Sequence, residues 1–359
     1  RPARLRTGRR NRKNPLIEPT LLPTRARRAF IHLAMGTMAV AGPSTAFAQG
    51  LAYGDAREAV PIPPAERSLQ TVVAEPWISL PGVEALEGPA FERDGNLVFS
   101  DVSGQRVLRA DKDGKVSTVF HRANTGVGGL AIDAAGRIVI ASIDIAGGTG
   151  AVLSIRPDGS DLRTLVPPSA GLMPNDVVFD RQGGIYISDF RGTATDPRGG
   201  IYYLAPGSTA PTVVLPNLAM ANGIALSPDG KELWATEFGR NALYRVQLAD
   251  PTHPTPLGTA IAYRFTGPAP DSMRIDADGN LYVAIYGQGR VLAFSPQGIP
   301  IGQILLPGRE QGRNLKTTSM AIRPGTNEMV IVTGDDAGGP AMIFRTRVFA
   351  QAQTPPQSR

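Results

Sequence analysis

The sequence predicts an all-β fold: a six-bladed β-propeller with four antiparallel strands per blade, its ring closed by an N-terminal strand. Three observations predict it. First, one hairpin-like stretch recurs six times, as "EGPAFERDGNLVFSD" from Glu87, "VGGLAIDAAGRIVIAS" from Val127, "PNDVVFDRQGGIYISD" from Pro174, "ANGIALSPDGKELWATE" from Ala221, "PDSMRIDADGNLYVA" from Pro270 and "TTSMAIRPGTNEMVIVTG" from Thr317. Its turn marks, Gly95, Gly136, Gly183, Gly230, Gly279 and Thr326, stand 41, 47, 47, 49 and 47 residues apart. A period in the forties made of short strands is the signature of propeller blades. Second, each interval holds another hairpin, such as "RVLRADKDGKVSTVF" and "RVLAFSPQGIPIGQILL", which brings the count to four strands per repeat. Third, the chain after the sixth copy offers only "PAMIFRTRVFA". The stretch "QTVVAEPWISL" from Gln70 stands ready to supply the missing outer strand.

Taken in order, residues 1–48 read as a cleaved export signal. "TRARRAFIHLAMGTMAVAGPSTAFAQG" has the paired Arg27 and Arg28, a Phe two residues beyond, a Gly-interrupted apolar run and a small-x-small site at Ala46-Phe47-Ala48. That pattern is twin-arginine-like, with an ordinary secretory signal as the alternative. It predicts a periplasmic or secreted protein. The apolar run is too short and too weakly apolar for a membrane span. Residues 49–69 read as a linker, 70–351 as the propeller and 352–359 as a polar tail.

The formal charge of +6 belongs to the leader. Of 37 basic and 31 acidic residues, ten basic and one acidic lie up to Arg28, so the remainder is slightly acidic and nothing in it argues for nucleic acid. The absence of cysteine excludes disulfides and thiol chemistry. With only His32, His121 and His253, and no G-x-S-x-G or phosphate-binding loop, a Ser-His-Asp hydrolase is not supported. Oligomeric state is not legible.

The repeats carry the functional signal. Eight residues before each turn mark the six copies hold Glu87, Gly128, Asn175, Asn222, Asp271 and Thr318. This slot begins the innermost strand, so the six positions converge near the axis on one face. Any one of these residues alone reads as a turn former or a cap. Two carboxylates and two amides in one symmetric slot read as a metal site, because buried acids facing each other repel unless a cation lies between them. Oxygen donors without His or Cys suit Ca2+ best, with Mg2+, Mn2+ or Zn2+ as alternatives. Asp271 is the candidate base. Asp101, Asp189 and Glu237, which end second strands on the same face, are expected either to orient the inner amides or to begin polar loops. Asp176, beside Asn175, points away from the axis on an ideal strand. Arg191, Arg198, Tyr286 and Gln288 lie on loops that rim the face.

The segments "EGPAF", "NDVVFD", "ANGIALSPDG" and "GPAPDSMRIDADGNLYVA" resemble the senescence marker protein, regucalcin and gluconolactonase superfamily. The run "YRFTGPAPDSMRIDADGNLYVAIYGQGRV", followed by "PIGQILLPGR", is most similar to its staphylococcal-type drug-responsive lactonase branch. The resemblance implies a calcium-dependent lactonase acting on a small-molecule lactone. It implies Glu87, Asn175, Asn222 and Asp271 as metal ligands, Ser272 as a further ligand in that branch, and Asp271 as the proton-transfer residue. A phosphotriesterase on the same site and a non-catalytic binding propeller are the alternatives.

Overall fold

The computed structural model describes residues 59–144 and 147–353. The expected export signal, the first part of the linker and most of the tail lie outside the described residues. Six antiparallel sheets form, and the first strands of successive sheets touch one another in a closed circle, as a six-bladed propeller requires. These innermost strands are Leu86–Phe91, Leu130–Ile132, Pro174–Phe179, Ala221–Leu226, Pro270–Ile275 and Lys316–Ile322. Each leads through a tight turn into a second strand that returns to the slot end, Leu97–Asp101 in blade 1 and Glu232–Glu237 in blade 4, for example. Five of the turn marks are glycines with φ between +72° and +88°, a region that strains any residue with a Cβ.

The apolar core lies between blades. Leu97, Phe99 and Leu108 of blade 1 pack on Val330, Val332 and Ile343 of blade 6. Trp234 and Leu243 of blade 4 pack on Leu281, Val283 and Phe294 of blade 5. Alternate residues of each strand face opposite neighbours, so a single blade cannot bury both faces. Each such side chain gains about 1.5–3 kcal/mol only when the next blade is in place.

The closing segment splits in two. Strand β1 (Gln70–Val73) adds a fifth, parallel strand to blade 5, against Pro300–Leu305. Strand β2 (Glu75–Leu80) supplies the outer strand of blade 6, against Ala341–Arg347. Only β2 therefore closes the ring, and buried Ala74 is the point of changeover. Just upstream, Glu66 is buried and paired with the fully buried Arg290 of blade 5, with Nη1 to Oε2 at 2.5 Å. The Tyr263 hydroxyl also donates to Glu66, at 2.6 Å.

Candidate metal centre

Every inner strand except that of blade 2 breaks register near its first residues. The shifts fall between Glu87 and Ala90, Pro174 and Val177, Ala221 and Ile224, Pro270 and Met273, and Thr317 and Ser319. Such bulges release backbone groups from the ladder and re-aim side chains. Hydroxyls take up the released groups and tie neighbouring blades together. Thr236 Oγ1 accepts from the Gly223 N–H at 2.7 Å and donates to the Asp271 carbonyl at 2.8 Å. Ser100 Oγ donates to the Gly128 carbonyl at 2.7 Å, and Thr318 Oγ1 to the Leu86 carbonyl at 2.6 Å. Thr318 is thereby committed to the scaffold.

The residue after the slot explains the tightness of the ring. A Cβ on Gly223 would lie 2.6 Å from the Met273 nitrogen, and one on Gly88 would lie 2.5 Å from the Leu130 nitrogen. Only glycine lets the next blade come this close.

The structure brings Glu87, Asn222, Asp271 and Ser272 into one electrostatic cluster. Asn222, Asp271 and Ser272 are buried, whereas Glu87 and Asn175 keep a partial opening to solvent. Burial pushes the Glu87 carboxyl up to about 8; the Asp176 charge adds to this, while the Gly88 N–H and Arg274 oppose it. Burial and then the Glu87 charge push Asp271 well above the usual carboxylate range, against the Asn222 amide and the Ser272 N–H. Asn175 Oδ1, Asn222 Oδ1 and Ser272 Oγ are buried oxygens with no hydrogen-bond partner. Each such group costs about 1–3 kcal/mol when left unpaired. Two carboxyls resisting ionisation and three orphaned oxygens fit a hard divalent cation, which would satisfy both deficits at once. Among the described residues, no cluster of three His, Cys, Asp or Glu side chains is found, so the donor set depends on the amides and the hydroxyl.

Asp176 departs from the expectation. Strict alternation turns it away from the axis, but the bulge returns its carboxylate to a position where it acts on both Glu87 and Asp271. It is fully buried and paired with Arg274, Nη1 to Oδ2 at 3.0 Å. Asp101, Asp189 and Glu237 do not orient the inner amides. Asp101 accepts from the Gly104 N–H and pairs with Arg106; Asp189 holds the Met173 N–H and Arg191; Glu237 holds the Ala219 N–H and the Tyr244 hydroxyl. Asp101 pins the loop that leaves its strand, whereas Asp189 and Glu237 also hold the segments that enter the inner strands of their blades.

The rim candidates separate in the same way. Arg191 is locked on Asp189, Arg198 and Asp196 form an exposed pair, and Gln288 is buried, donating to the Thr266 and Pro268 carbonyls. Tyr286 belongs to a row the sequence did not announce. Phe190, Phe238 and Tyr286 each follow the last residue of a second strand and meet edge to face, with successive ring centroids 5.7 Å apart. The row is half-buried and lies at the end of the ring that carries Asn175, Asn222 and Asp271. Two sizeable surface hollows, of about 400 and 660 Å³, lie instead around the turns at the opposite end, among residues such as Asp180, Asp229 and Gly279.

Known proteins share this fold and sequence. The SMP-30/Gluconolactonase/LRE-like region matches over residues 86–333. The chain is 42% identical to the lactonase drp35 of Staphylococcus haemolyticus over 307 residues, which cover 83% of this chain and 94% of that one. Among solved structures, a gluconolactonase from Xanthomonas campestris shares the fold at 24% identity, with TM-score 0.59 over 74% of this chain and 88% of the other. Regucalcin from Agrobacterium tumefaciens, described as a calcium-binding protein, shares it at 19% identity, with TM-score 0.63 over 79% and 98%. The family match runs from the first inner strand of the ring into the second strand of the sixth blade, and the protein belongs to the SMP-30/gluconolactonase/LRE-like family.

Proposed function

We propose that the protein is a calcium-dependent lactonase that opens a small lactone to its hydroxy acid at the axial site. The observation that carries this reading is the coincidence at one end of the ring of two strained carboxyls, Glu87 and Asp271, with the orphaned oxygens of Asn175, Asn222 and Ser272. The lactonase named among its relatives supports the substrate class, and the calcium-binding neighbour supports the ion.

Glu87, Asn175, Asn222, Asp271 and Ser272 would hold the cation. When bound, it supplies a Lewis acid that polarises the lactone carbonyl. Asp271 takes the proton of the attacking water and returns it to the alkoxide formed as the ring opens. Asp176 adds negative charge beside the site and Arg274 offsets it, so the ionised Glu87 and Asp271 are left to balance a divalent cation. The aromatic row offers an apolar wall against which a lactone ring can lie and from which water is excluded. The segment 1–48 is read with this as an export signal that delivers the enzyme to the periplasm or the medium. Cell fractionation of the full chain beside an Arg27→Lys/Arg28→Lys variant tests that part.

The function is tested by acid release from a panel of aliphatic, aromatic and sugar lactones, with Ca2+ and then with a chelator. Hydrolysis that stops with the chelator and returns with Ca2+ is expected, and Asp271→Ala or Glu87→Ala should abolish it. Calcium-loaded, folded protein that opens no lactone would overturn the reading and favour a phosphotriester substrate or a binding role.

A further inference from the structure

Tyr286 and Lys316 are joined across the seam between blades 5 and 6. Tyr286 directly follows the strand Leu281–Ile285, and Lys316 begins the inner strand of the next blade. The two residues form an isolated antiparallel bridge, flanked by the Gly287 N–H donating to the Leu315 carbonyl at 2.8 Å. On its other side Tyr286 exchanges backbone hydrogen bonds with Ala269, at 2.9 and 3.0 Å, two residues before Asp271. Packing against Phe238 fixes the ring plane. The Lys316 ammonium is anchored by Asp336 and has only 21% of its side chain exposed.

We propose that Tyr286 contacts the substrate, donating its hydroxyl hydrogen to the ring oxygen of the lactone, and that Lys316 is the positioning residue that aims it. This deepens the lactonase reading and rests on it. An ammonium has three donors and no acceptor, so toward a phenol it can only donate to the oxygen. The bridge sets both side chains on the same face. An ammonium that reaches the phenol oxygen there leaves the phenol's own hydrogen for a partner on the side of Asp271, to which Tyr286 is tied through Ala269. Burial raises the phenol's pKa, with the Lys316 charge and hydrogen bond pulling the other way, and the Asp271 carboxylate also acts on it. A phenol held protonated is a hydrogen-bond donor and gives up no proton. In the step itself, water oxygen bonds to the carbonyl carbon and the ring C–O bond breaks with its electron pair passing to the leaving oxygen. The water proton reaches that oxygen through Asp271. Tyr286 keeps its own proton throughout and stabilises the charge gathering on the leaving oxygen.

The test compares two substrates that differ in how much charge the leaving oxygen must bear. δ-Valerolactone expels an alkoxide, whereas a benzo-fused δ-lactone expels a phenolate, which needs less help. Tyr286→Phe keeps the aromatic row. It should lower kcat/KM about tenfold for δ-valerolactone and less than threefold for the benzo-fused lactone, with Ca2+ affinity by calorimetry and thermal midpoint unchanged. Lys316→Met should give a smaller loss in the same order, and that loss should vanish when the Phe substitution is already present. Equal losses on the two lactones, a Tyr286→Phe enzyme within twofold of wild type on both, or additive effects of the two substitutions would each overturn the proposal. Wild-type protein inert toward both lactones overturns the lactonase reading itself, and the proposal with it, a failure recognisable because it needs no variant.

Discussion

Removing the cation should make stability fall as pH rises, a direction opposite to that set by most paired carboxylates. Without an ion, the Glu87 carboxyl has its pKa raised from 4.5 to about 8. The folded chain therefore holds a proton there that the unfolded chain has released. A shift of this size corresponds to about 5 kcal/mol. That stabilisation is complete below the unfolded pKa and is lost as pH climbs through the folded one. About 3 kcal/mol remains at pH 5.5 and almost none at pH 9. At roughly 2 °C per kcal/mol for a chain of this size, the midpoint of the chelated protein should drop by about 6 °C over that range. Saturating Ca2+ should reverse the trend, because it binds the ionised pair and adds stability by mass action. Glu87→Gln removes the titrating group. Its chelated form should show a flatter profile and stand above wild type at pH 9, while gaining little from Ca2+. Thermal unfolding followed by far-ultraviolet circular dichroism, with chelator and with Ca2+, measures all of this. A chelated wild type whose midpoint is flat from pH 5.5 to 9, or a Glu87→Gln protein with the wild-type slope, would refute the account of the site as an electrostatic hole.

Two further substitutions probe the frame around the site. Gly223→Ala places a methyl 2.6 Å from the Met273 nitrogen and 2.8 Å from the Asp271 carbonyl oxygen; it should cost about 1–3 kcal/mol in urea unfolding and weaken Ca2+ binding by displacing Asp271. Arg290→Met strands the buried Glu66 carboxylate and should cost about 3–5 kcal/mol, much of which Glu66→Gln in the same chain should restore.

The architecture was legible because its signals are periodic: the turn marks, the paired hairpins and the acids and amides at a fixed offset from each turn. The axial residues were legible for the same reason, since a symmetric slot in a closed ring has one place to converge. Asp176 was not, because alternation assumes an unbroken ladder and the bulge at Pro174–Val177 adds a residue that no spacing reveals. A signal did exist. The position after the slot is Gly88, Gly129, Gly223, Ser272 or Ser319 in the other blades, and an acid in a place otherwise kept small is conspicuous. Gly129 is where the room is made, for a Cβ there would lie 2.4 Å from Asp176 Oδ1. Asp101, Asp189 and Glu237 read as functional only because they share the face. Their partners are N–H groups of neighbouring loops and nearby side chains, which sequence does not place. The aromatic row was hidden by distance, its three members standing about one blade apart in the chain.

The seam in blade 6 bears on the order in which the protein comes into being. Strand β2 leaves the ribosome first among the strands of that sheet, and its partner Ala341–Arg347 leaves last, so a growing chain carries an unmatched sheet edge until synthesis is nearly done. The hydrogen bond from Thr318 to the Leu86 carbonyl joins the inner strand of this blade to that of blade 1, and Glu87 is the next residue. Blade 6 thus stands between the two carboxylates, Glu87 in blade 1 and Asp271 in blade 5, that face each other only once the circle is shut. If the proposed ion binds between them, it rewards finished rings alone, and metal uptake would then serve the nascent protein as a certificate of completed assembly.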